Sequence, residues 1–148
     1  MGIEAILKKS ILFEDMTDDE LSRISGIWGI PEGKIYRKSS VICKRGELGD
    51  SLYLIHSGKV RISIPTEEEE IVLAELGPAK FFGEISLIDE GKRSATAVAV
   101  EDCKIVIITR SLLKKLLETE PQIGIKFLLS LSNVFCKRIR VLDERLLE

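Results

Sequence analysis

The chain reads as a mostly-β fold: a β-roll of the jelly-roll type, with a helical region before it and helices after it. Three observations predict this. The middle of the chain, about residues 33–109, breaks into short apolar runs at strand period, punctuated by glycines. About residues 2–30 ahead of it, and about residues 110–148 behind it, carry apolar residues at helical spacing. Strands this short and this evenly interrupted suit a roll or barrel better than a doubly wound sheet. At 148 residues, the three regions are expected to form one domain.

In the first region Thr17-Asp18-Asp19-Glu20 precedes Leu21 and Ile24. A threonine followed three residues later by glutamate is the capping-box pattern, and acids suit the positive end of a helix dipole. Gly26 and Pro31 are expected to end that helix. In the middle region Val60, Ile62 and Ile64 alternate with Arg61, Ser63 and Pro65, which predicts a half-buried strand. Ser57-Gly58-Lys59 is a tight turn between that strand and the run 52–55. The glutamates at 67–70 form a solvated hairpin tip, and residues 71–76, 95–100 and 105–108 supply further strands.

In the last region Thr109 caps a short helix that ends near Glu118, and Pro121 sits where a first helical turn tolerates proline. Leu128, Leu131, Phe135, Ile139, Leu142 and Leu146 then follow at spacings of 3, 4, 4, 3 and 4 residues, a mean of 3.6. That is the straight-helix period rather than the 3.5 of a sustained coiled coil. The stripe serves equally to cover the roll or to meet a second copy in a homodimer.

Composition excludes several classes. With 22 basic and 24 acidic side chains the net charge is −2, so no nucleic-acid-binding surface dominates. No apolar run approaches the roughly 18 residues of a membrane span. The first twelve residues lack a signal peptide's layout, and a cytoplasmic location is expected. Cys43, Cys103 and Cys136 are odd in number and widely spaced, and they are expected to be buried reduced thiols. With His56 as the single histidine, no metal site is expected.

The most informative stretch is Phe82-Gly83-Glu84-Ile85-Ser86, followed nine residues after Glu84 by Arg93-Ser94-Ala95-Thr96. One guanidinium matches one phosphodiester charge, bidentately where geometry allows. A glycine opening a helical turn leaves backbone N–H groups free to face an anion. A carboxylate beside a phosphate needs a neutral donor, such as a ribose hydroxyl. Together these residues point to a nucleotide. The bland readings are a surface Arg93 paired with Asp89 or Glu90, and a Glu84 that merely suits a helix start. Gly46, Gly49 and Gly58 read as turn residues, and Lys137, Arg138 and Arg140 as a solvated helix face.

This segment, with Arg45-Gly46-Glu47-Leu48-Gly49-Asp50-Ser51-Leu52-Tyr53-Leu54-Ile55 and Ser57-Gly58 before it, resembles the cyclic nucleotide-binding domain of bacterial catabolite activators, cyclic AMP-dependent kinase regulatory subunits and nucleotide-gated channels. Residues 82–96 resemble its phosphate-binding cassette, although Lys92 stands where the family often has proline. The resemblance implies that Glu84 accepts the ribose 2′-hydroxyl, helped by the N–H of Gly83. Arg93 would clamp an exocyclic oxygen of the cyclic phosphate. Backbone N–H groups at Ile85, Ser86 and Ser94 would complete the cradle, with the Ser94 hydroxyl as a further donor. Aligning the final helix by Leu131-Ser132 puts Leu142 and Asp143 at the base. Cyclic AMP is the expected ligand, with cyclic GMP the alternative.

The resemblance also implies a regulatory sensor module rather than an enzyme. Such a module would signal through its last helix to an effector that the sequence does not name. A metal-dependent roll of the cupin type would need several histidines. A DNA-binding helix-turn-helix has no room before Glu148, so the chain is expected to be a free-standing sensor or a piece of something longer. The competing reading is a degenerate module that folds and dimerises without ligand. Exchange of Arg93 for glutamate is expected to abolish binding while leaving the fold intact.

Overall fold

The structure is a computed structural model that describes residues 3–29 and 33–147. Two helices, α1 (Glu4–Lys9) and α2 (Asp18–Trp28), lead into eight strands. These are β1 (Lys34–Tyr36), β2 (Val41–Cys43), β3 (Ser51–Ser57), β4 (Val60–Pro65), β5 (Glu70–Leu76), β6 (Phe81–Phe82), β7 (Thr96–Ala99) and β8 (Cys103–Thr109). A short helix, α3 (Glu84–Asp89), lies between β6 and β7, and α4 (Arg110–Thr119) and α5 (Pro121–Leu147) close the order.

The strands form two antiparallel four-stranded sheets, ordered β1-β8-β3-β6 and β2-β7-β4-β5. This is the predicted roll. Partners are distant in sequence: β3 pairs with β8, Leu52 opposite Ile108, and β4 with β7, Val60 opposite Ala99. The turn at Ser57-Gly58-Lys59 therefore carries the chain from one sheet to the other. Gly58 has a φ of +97°, and a Cβ there would lie 2.5 Å from the Asp102 carbonyl oxygen. Only glycine fits this corner.

Strand β3 is apolar on both faces because both are covered. Leu52 and Leu54 face a core built with Leu7, Phe13, Ile24, Trp28, Leu113, Leu116, Phe127 and Leu131 from the helices. Ile55, one residue out of phase, joins Val60, Phe82, Ala97, Ala99 and Ile105 inside the roll. Strand β8 divides the same way, with Val106 and Ile108 outward and Ile105 inward. The outer core is knit by Phe13, whose ring centroid lies 6.2 Å from Trp28 and 5.3 Å from Phe127.

The capping box is formed: Thr17 Oγ1 accepts from the Glu20 N–H and Glu20 Oε1 from the Thr17 N–H. The Thr109 cap and the proline start of α5 also hold. Several expectations need correction. Helix α2 runs through Gly26 and ends at Gly29, whose φ of +57° supplies the left-handed cap; Pro31 lies outside the described residues. The alternation in β4 stops after Ile62, where a register irregularity against β5 buries Ser63 instead of Ile64. Of the three thiols only Cys103 is buried; Cys43 is half-buried and Cys136 exposed on α5.

Helix α5 is continuous for 27 residues, about 40 Å. Its stripe is divided. Leu131 is buried, and Leu128 and Phe135 pack against the outer core, whereas Ile139, Leu142 and Leu146 are exposed. The buried part of the stripe lies in the first half of α5 and its exposed part in the second. No helix among the described residues is long and apolar enough to cross a membrane.

Candidate functional site

A cavity of about 290 Å³ opens between the two sheets and α3. Ile62, Leu73, Leu76 and Ala97 make its apolar wall, and its polar groups come from α3, the loop before β7 and α5. Gly83 introduces α3 with a φ of +80°, and a Cβ there would meet Arg93 Nη1 at 2.5 Å and the Ser51 carbonyl oxygen at 2.9 Å. The glycine is thus required twice, by its backbone angle and by the guanidinium against it.

Arg93 is 6% exposed. Its Nη1 donates to the carbonyl oxygens of Ser51 at 2.8 Å and Gly83 at 3.2 Å, and its cation lies 5.0 Å from the centroid of the Tyr53 ring. Tyr53 in turn stacks on Phe82. The bland pairing with Asp89 or Glu90 is not made: Asp89 accepts from the Gly91 N–H, and Glu90 pairs with Arg110. Among the described residues no carboxylate forms an ion pair with Arg93. A buried cation held by two carbonyl dipoles and a ring face keeps its full charge available to an incoming anion.

The peptide on either side of Arg93 is pinned as well. Its N–H donates to the Glu47 carbonyl oxygen, its own carbonyl oxygen accepts from the Gly46 N–H, and the Gly49 N–H donates to the Gly91 carbonyl oxygen. Gly49 proves to be more than a turn residue, because a Cβ there would lie 2.3 Å from Arg93 Nε. Gly49 and Gly83 form a slot for one guanidinium.

Glu84 is 5% exposed at the first position of α3, and its carboxylate pairs with Arg138 of α5. Ser86 is buried and donates its hydroxyl to the Gly91 carbonyl oxygen at 3.3 Å. Ile85, Ser94 and Lys92 line the cavity, and the Ser94 carbonyl oxygen accepts from Arg45 Nε. The structure therefore brings Gly83, Glu84, Ile85, Ser86, Arg93 and Ser94 to one cavity. Leu142 and Asp143 are not among the residues that line it. Leu142 sits one helical turn beyond Arg138, 56% exposed, over a shallow groove with Val141 and Arg145.

Arg138 corrects the reading of a wholly solvated basic face. It lies seven residues after Leu131 and three after Phe135, on the same face of the helix as that stripe, with its side chain 49% exposed. A charge on the same face as the apolar stripe was the signal available in the sequence. Burial pulls its pKa below the ordinary arginine value. The same enclosure raises the Cys43 thiol and the Tyr53 phenol, in each case chiefly by desolvation and partly offset by the Arg93 charge.

A β-roll whose cavity carries one buried cation, one buried carboxylate and an apolar wall defines a small-ligand-binding module. Known proteins narrow the class. A family model for the cyclic nucleotide-binding domain matches residues 34–120. The cyclic AMP receptor protein of Thermus thermophilus is 35% identical over 138 residues, 93% of this chain and 61% of that protein. The crystal structure of the Thermus thermophilus catabolite activator protein superposes with a TM-score of 0.81 at 35% identity, over 93% of this chain and 62% of that one. The regulatory domain of Toxoplasma gondii PKA, co-crystallised with cAMP, gives a TM-score of 0.65 at 28% identity, over 76% of this chain and 42% of that one. The chain belongs to the cyclic nucleotide-binding domain family. It spans less than two thirds of the Thermus receptor's length.

Proposed function

We propose that this chain is a non-enzymatic regulatory module that binds a cyclic nucleotide, cyclic AMP first, in the cavity beside α3. The observation that carries the reading is Arg93: a buried guanidinium that lines the cavity and, among the described residues, pairs with no carboxylate. In this reading Arg93 takes the cyclic phosphate, with backbone N–H groups at Ile85, Ser86 and Ser94. Glu84 and the N–H of Gly83 take the ribose 2′-hydroxyl, and the apolar wall from β4 and β5 receives the purine. Cyclic AMP is preferred to cyclic GMP because the similar proteins named above carry it in their names.

Transmission would run through α5. Its Arg138 holds the carboxylate that the ribose would engage, so occupancy changes what the helix is tied to. A ligand that favours one helix arrangement shifts the equilibrium by its difference in affinity between the two. Leu142 and Asp143, on the exposed half of α5, would reach the base only after the helix shifts or from a second copy. We assign that exposed half to a homodimer contact, and the output to an effector that reads the position of α5.

The test is calorimetric titration of the purified chain with cyclic AMP, cyclic GMP and 5′-AMP, with thermal unfolding in parallel. At ligand a hundred times Kd, binding adds about 2.7 kcal/mol to stability. Saturable binding of a cyclic nucleotide, with 5′-AMP inert, is expected. No heat and no shift with either cyclic nucleotide at millimolar concentration would overturn the reading.

A further inference from the structure

The exit of α3 is held by a side chain that takes no part in the proposed nucleotide contacts. Arg110, the first residue of α4, donates through Nη1 to the carbonyl oxygen of Ile88 and, at 3.5 Å, to that of Leu87. Its Nε lies 2.8 Å from Glu90 Oε1, and its backbone N–H donates to the Asp50 carbonyl oxygen at 2.9 Å. The last carbonyls of a helix have no partner within it, and a cation there also meets the negative end of the dipole. Glu90 caps α3 with a φ of +54°, a left-handed conformation that non-glycine residues rarely hold without support.

Helix α3 is therefore tied to the terminal helices at both ends: Glu84 to Arg138 on α5, and Ile88 and Glu90 to Arg110 on α4. Between them Leu87 is buried in the same core as Leu113 and Leu116 of α4. The Asp50 link closes a second route. Asp50 precedes Ser51, whose carbonyl oxygen holds Arg93, so one residue of α4 touches both supports of the cavity. We propose that Arg110 is a positioning residue that locks the end of α3 to the first turn of α4, so that any shift of α3 is passed to α4 and α5. The locking itself is independent of the nucleotide reading; only the passing-on of a ligand-driven shift rests on it.

The experiment is amide hydrogen exchange on the full chain and on Arg110→Ala, Arg110→Lys and Glu90→Gln, with and without cyclic AMP. Without ligand, Arg110→Ala should speed exchange of the Glu90 amide at least about tenfold, the size expected for a lost charge-assisted hydrogen bond. The amides of α2 should be unchanged, and Arg110→Lys should recover part of the protection. With ligand, the wild type should gain protection in both α3 and α4. Arg110→Ala should gain it in α3 alone. Unchanged exchange at Glu90 in both Arg110 variants overturns the lock, whether or not any nucleotide binds. Ligand-induced protection that reaches α4 undiminished in Arg110→Ala overturns the transmission. A wild type that shows no response to ligand overturns the transmission together with the nucleotide reading, and the ligand-free arm still decides the lock. If Arg110→Ala does not fold, Arg110→Lys and Glu90→Gln carry the same comparison.

Discussion

Replacing Arg93 tests the site, but the choice of replacement matters. The sequence alone suggests charge reversal to glutamate as a clean loss of binding. The structure predicts otherwise, because the side chain is 6% exposed and faces two carbonyl oxygens. A glutamate there would set a buried anion against two acceptors, at a cost of several kcal/mol. That is comparable with the whole stability of a domain, about 5–15 kcal/mol. Arg93→Glu is therefore expected to lose binding and folding together. Arg93→Lys separates them. The ammonium keeps the charge and one carbonyl contact but loses the planar fork, which should destabilise the chain by about 1–2 kcal/mol. On the ligand side, loss of bidentate phosphate contact should weaken cyclic AMP by roughly 10- to 100-fold, about 1.4–2.8 kcal/mol. The assay is calorimetric titration with urea unfolding on the same samples. Wild-type affinity in a folded Arg93→Lys variant would mean that Arg93 does not hold the phosphate.

Three further outcomes are expected. Gly49→Val places side-chain atoms where Arg93 Nε now lies, since even a Cβ comes within 2.3 Å; cyclic AMP affinity should fall at least about tenfold while far-ultraviolet circular dichroism stays unchanged. Glu20 has its pKa lowered by the Thr17 N–H and by Lys126, from an ordinary value of 4.5. A lowered pKa means stability that is present above about pH 4.5 and lost as pH falls through the folded value, so the urea midpoint gap between wild type and Glu20→Gln should shrink on acidification. Leu142→Asp changes an exposed position and should leave unfolding within about 0.5 kcal/mol of wild type once self-association is allowed for. In sedimentation velocity it should move a dimer toward monomer, and an unchanged sedimentation coefficient would count against the α5 contact.

Much of the fold was legible because its signals are local. A capping box needs only Thr17 and Glu20, a helix start needs only Pro121, and strand period needs only neighbours. The grouping of Gly83, Glu84 and Arg93 was legible for a related reason: they are few residues apart, and the loop between them must return the chain to the roll. Gly26 misled because glycine is only a weak helix breaker, and the stronger left-handed cap three residues on decided the end.

Local patterns in the chain specify a roll with helical flanks and one segment carrying a carboxylate and an arginine nine residues apart. Tertiary structure alone decided that β3 and β4 belong to different sheets, that Gly49 exists for Arg93, and that α5 brings Arg138 onto Glu84 across more than fifty residues of chain. The physical reason is common to all three. Periods and caps are set by the backbone's own geometry within a few residues. Which faces meet is set by burial of the whole chain at once, and that left a charged group on an apolar stripe at the mouth of the cavity.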